Sequence, residues 1–83
     1  MSSQQIKLVR IIADIAIALE FTSEKLINPH VVVEMQESIA ETLQSLDISD
    51  REQIASTFEN IAVFYGGKLA DYVRSLPVNY RII

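Results

Sequence analysis

The only histidine, His30, opens an acidic ladder. Glu34, Glu37 and Glu41 follow it at helical intervals, so in a helix all four side chains share one face. Imidazole and carboxylates at this spacing are metal-ligand chemistry of the kind built inside helical bundles. Those sites collect inward-facing ligands from several helices and favour a Glu-x-x-His pair, which this segment lacks. The ladder also lies opposite the apolar stripe of its own helix. It reads as a solvated face, with Glu34, Glu37 and Glu41 forming a docking surface for a basic protein partner. No metal and no cofactor is expected.

Other chemistry is thinly represented. There is no cysteine, and His30 has no serine placed to accept its help as a base. Carboxylate acid–base pairs need one buried member, and only Asp14 and Glu20 are bordered by apolar residues. Arg10 stands one turn before Asp14, which predicts an i,i+4 ion pair. Gly66-Gly67-Lys68 lacks the upstream glycine and the Ser or Thr of a phosphate-binding loop. Arg10, Arg51, Arg74 and Arg81 are scattered, so an anion pocket would need a second subunit to bring Arg10 and Arg74 together near Tyr72. These features favour a non-enzymatic interaction protein: an adaptor, a regulatory subunit or a toxin-neutralising protein. The alternative is a small helical enzyme or metabolite-binding protein with its site between subunits.

Charge supports the first reading. The formal net charge is −4, and Glu20 to Glu59 holds nine acids against Lys25 and Arg51. An acidic centre repels phosphate backbones, so nucleic acid is not an expected partner. No run of about 18 uncharged apolar residues is present, and the chain shows no secretory segment. With cysteine absent as well, a cytoplasmic protein without a membrane partner is expected.

The elements that position these residues are helical. The apolar period is close to 3.6 from the first residues to Leu76, and the punctuation is Pro29, Pro77 and Gly66-Gly67. A first helix is expected from about Ser3 to Phe21, with an extension to Leu26 as the alternative. Its main apolar arc holds Leu8, Ile11, Ile12, Ile15, Ala16 and Leu19, an ordinary core face. Beyond the polar stripe of Lys7, Arg10 and Asp14 lies a second strip, Ile6, Ala13, Ile17 and Phe21. Asn28-Pro29 is an N-cap followed by proline at the first helical position, and opens a second helix running to about Leu46. Ser49-Asp50-Arg51-Glu52 has the form of a capping box. The face Ile54, Phe58, Ile61, Tyr65, Leu69, Tyr72 and Leu76 keeps its phase across the two glycines. That favours one long third helix ending before Pro77, over a C-cap at Gly66 and a separate fourth helix.

The expected architecture is all-α: a three- to four-helix bundle over residues 1–76 with an extended tail over 77–83. A chain of 83 residues buries only about 60% of the surface its unfolded form exposes. The second strip of the first helix therefore calls for a homodimer, with Ile6, Ala13, Ile17 and Phe21 meeting their copies and Phe64 and the tail nearby. The slim back of the third helix, Ser56, Asn60, Val63, Gly67 and Ala70, either packs on the first helix or admits another chain.

Overall fold

The computed structural model describes residues 3–83, which form four α-helices: α1 (Ser3–Phe21), α2 (Pro29–Gln44), α3 (Ile48–Ile61) and α4 (Gly67–Asn79). Residues 1 and 2 of the expected domain lie outside the described residues. A 3₁₀ turn, Ala62–Phe64, joins α3 to α4. No strand occurs among the described residues.

Helices α1, α3 and α4 pack closely on one another, while α2 is more peripheral, packing mainly on α1 and hydrogen-bonded to Tyr80 at the end of α4. The core is the meeting of Val9, Ala13 and Ala16 on α1 with Phe58 and Ile61 on α3 and Val73 and Leu76 on α4. Burying a side chain such as Phe58 or Ile61 contributes about 1.5–3 kcal/mol, so these few residues carry much of the stability. Thr57 is the buried polar residue, and its hydroxyl donates to the Gln53 carbonyl at 2.7 Å. On α2 only Leu43 is buried; Ile39 and Ala40, with Leu46 just beyond the helix, are half-buried against the core.

The start of α2 follows the sequence. The Asn28 side chain accepts the His30 N–H at 2.8 Å, and Pro29 occupies the first turn, where its missing N–H costs nothing. The start of α3 comes earlier than the Ser49 box. Asp47 is the N-cap, and its carboxylate accepts the Asp50 N–H at 2.8 Å. A carboxylate at that position also meets the positive end of the helix dipole.

Helix α1 is turned relative to expectation. Ala13 and Ala16 are fully buried, and Ile6 and Ile17 are packed against the core. Of the expected core arc, Ile12, Ala16 and Leu19 do face the core, whereas Leu8, Ile11 and Ile15 are 60%, 54% and 40% exposed. The physical reason lies in the partners. Phe58, Ile61 and Leu76 are large, and small side chains on α1 leave them room to interdigitate at close-packed density.

The expected single third helix is two helices. Tyr65 is extended, Gly66 caps α4 with φ −104° and ψ 149°, and Gly67 has φ +51°. The conserved phase arises because α3 and α4 both turn apolar sides to the same core. The real core face of α4 is Ala70, Val73, Leu76 and Pro77, whereas Leu69 is 37% exposed.

The expected extended tail is also replaced. Helix α4 runs through Pro77 to Asn79. Its end is a Schellman motif: the Ile82 N–H donates to the Pro77 carbonyl at 3.0 Å and the Arg81 N–H to the Val78 carbonyl at 3.0 Å. Arg81 takes the left-handed residue, φ 58°, that usually falls to glycine or asparagine. The chain folds back so that Pro77, Tyr80 and Ile82 are buried.

The two glycines separate the two architectures. Gly67→Ala is expected to destabilise by about 1 kcal/mol, because an L side chain is strained at positive φ. Gly66→Ala, with ordinary dihedrals and open space around its Cβ, should stay within about 0.5 kcal/mol of wild type. Chemical denaturation measures both; a continuous helix would instead gain about 1 kcal/mol from each alanine.

Candidate functional site

Helix α2 packs mainly on α1 and meets the end of α4 only through Tyr80, and an open cleft of about 580 Å³ lies between α2 and α4. Glu37, Glu41, Gln36 and Gln44 line its α2 wall, Tyr72, Asn79 and Tyr80 its α4 wall, and Glu20 comes from α1. Arg81 is the single cation among its lining residues. Three carboxylates against one guanidinium give the cleft an acidic balance.

Tyr80 bridges the two walls. Its hydroxyl donates to Gln36 Oε1, and its carbonyl accepts from Gln44 Nε2 at 2.8 Å. Both bonds depend on the Schellman turn, which stops α4 at Tyr80 and turns the side chain inward. Burial pushes the Tyr80 phenol well above its ordinary range, with the neighbouring Tyr72 adding to the rise. Tyr72 is also raised, by burial first and then by the negative charge of Glu20. These phenols are hydrogen-bonding groups at neutral pH, not bases.

The sequence-derived residues fall in several places. Glu34, Glu37 and Glu41 are all exposed on α2, but only Glu37 and Glu41 line the cleft. No group of His, Asp or Glu able to hold a metal ion occurs among the described residues. Of the residues expected at a self-association face, Ala13 is in the core, and Ile6 and Ile17 are half-buried against it. Phe21 is exposed and meets Tyr72 edge-on, ring centroids 5.4 Å apart. Phe64 is 64% exposed and lies under the Arg10 guanidinium, 5.3 Å from the ring centroid.

The expected Arg10–Asp14 ion pair is absent from the described residues. Asp14 instead accepts the Tyr65 hydroxyl, tying α1 to the segment before α4. That contact, after burial, raises the Tyr65 phenol. Arg74 sits with Asp71 at 3.5 Å and Glu59 at 3.9 Å. Neither Arg10 nor Arg74 lines the cleft, so the cleft of a single chain is not the anion pocket considered from sequence. On the back of α3, Ser56, Asn60 and Val63 are exposed, and only Ala70 of that slim set is buried.

Comparison with family models, with curated proteins and with solved structures finds no match to this chain. The geometry defines a class only: a small all-α bundle with an acidic, tyrosine-lined cleft and no helix among its described residues long and apolar enough to cross a membrane.

The raised phenols set an alkaline limit. Below pH 10, the ordinary tyrosine value, they are neutral in both states and add no pH dependence. Above it the unfolded chain ionises while the folded chain keeps its protons, so the unfolded state binds fewer protons and stability falls as pH rises. Tyr80→Phe is expected to lose about 1 kcal/mol at pH 7, from the broken bond to Gln36. It should also flatten the decline between pH 9 and 11. Urea denaturation across that range measures both.

Proposed function

We propose that this protein is a non-enzymatic interaction module. It self-associates through α1 and receives a basic segment of a partner protein in the cleft between α2 and α4. The observation that carries the docking half is the cleft itself. Glu20, Glu37 and Glu41 come from two helices and converge on one concavity of about 580 Å³, with the half-buried Tyr72 offering an aromatic wall. Lysine and arginine side chains suit such a site twice, as charges opposite carboxylates and as cations beside the Tyr72 ring. Concavity distinguishes these acids from Glu34, which shares a helix face with Glu37 and Glu41 but does not line the cleft.

Self-association is supported by composition and exposure together. The core of 83 residues is small, and α1 leaves Leu8, Ile11 and Ile15 uncovered. A soluble helix with large side chains on both sides needs a second neighbour.

Hexalysine serves as the probe for the docking half. It is expected to bind weakly, with weakening on added salt, and with amide shifts confined to α2, α4 and the end of α1. Exposed ion pairs contribute about 0.2–1 kcal/mol each. The triple variant Glu20→Lys, Glu37→Lys, Glu41→Lys should therefore lose about tenfold or more in affinity, while Glu34→Lys should lose little. Equal binding by the triple variant and the wild type would remove the cleft as a docking site.

A further inference from the structure

Gln4, Leu8, Ile11, Ile15 and Ala18 follow one another along α1 at intervals of four, three, four and three. That is the a/d spacing of a two-helix seam, and all five are exposed. We propose that this seam pairs antiparallel with the same seam of a second copy, Leu8 against Ile11 and Lys7 against Asp14. The inference rests on the self-association half of the proposed function and names the face, the orientation and the register.

Charge complementarity selects the occupant. Lys7 and Asp14 are seven residues apart and flank the seam on the same edge. In an antiparallel pair like edges meet, so each Lys7 faces the other copy's Asp14 and the ion pair forms twice about the two-fold axis. A parallel pair would set that edge against the opposite one, where Ile12 and Leu19 turn into their own core. Lys7 has no ion-pair partner among the described residues. Asp14 spends Oδ1 on the Tyr65 hydroxyl, which fixes the carboxylate and leaves Oδ2 for the partner. An antiparallel register one heptad step along would oppose Asp14 to Asp14, and is disfavoured for that reason.

The chain has no cysteine, so introduced thiols report without background. Leu8→Cys and Ile11→Cys proteins are oxidised separately and as an equal mixture, beside light-scattering mass measurements on the wild type over a dilution series. The expected result is a dimer mass, with the mixed Leu8→Cys/Ile11→Cys disulfide several-fold over either homodimeric disulfide. Lys7→Glu and Asp14→Lys should each raise the dissociation constant several-fold, and the double variant should restore it. A dimer mass with homodimeric disulfides predominant, or with no disulfide, would overturn this register while leaving self-association intact. A monomer at every concentration would overturn both.

Discussion

The fold depends on which side of α1 faces inward. Val9, Ala13 and Ala16, three of the smaller apolar residues of that helix, are its fully buried positions, and Leu19 is nearly so. Large side chains from α3 and α4, above all Phe58, Ile61 and Leu76, fill the space that these residues leave. Three bulky residues, Leu8, Ile11 and Ile15, stay outside, while Ile6, Ile12, Ile17 and Leu19 pack inward beside them and the neighbours complete the core. Peripheral placement of α2 follows as well. Three helices already surround the small-residue contact, so α2 is held by Leu43 at its end and by the hydrogen bonds of Tyr80.

That placement creates the two surfaces with functional potential and keeps them apart. Glu20 follows Ile11 by nine residues, which at 100° per residue puts the two on opposite sides of α1. The acidic cleft can be filled while the seam is occupied. The Schellman turn at Arg81 has a role beyond ending α4, since it delivers Tyr80 to Gln36 and Gln44 and so sets the position of α2 across the cleft.

Legibility in the sequence tracked how local each determinant is. Asn28-Pro29 is a self-contained cap, and α2 begins where it says. The helical period, the first helix from Ser3 to Phe21 and the exposure of Glu34, Glu37 and Glu41 were likewise readable from neighbours a few residues away. The side of α1 that turns inward was not, because residues around nearly its whole circumference are apolar and only the sizes of Phe58 and Ile61, some forty residues on, decide between them. Phase across Gly66-Gly67 misled for a related reason: two helices packing on one core share a phase without being continuous. At the C-terminus, Arg81 in a left-handed conformation carries no sequence signal, since the residues that mark such turns are glycine and asparagine. The α2 wall of the cleft was legible as an acidic face, whereas Glu20, Tyr72 and Tyr80 joined it only through tertiary packing.

The most direct test of this account compares two unfolding free energies, Ala13→Leu and Ile11→Ser, each measured against wild type at a concentration where the protein is monomeric. With Ala13 inside and Ile11 outside, Ala13→Leu should overpack the core and cost about 1–3 kcal/mol, and Ile11→Ser should change stability by no more than about 0.5 kcal/mol. The reverse pattern, a tolerated Ala13→Leu beside a loss of 2 kcal/mol or so at Ile11, would mean that α1 faces the other way and would contradict the account.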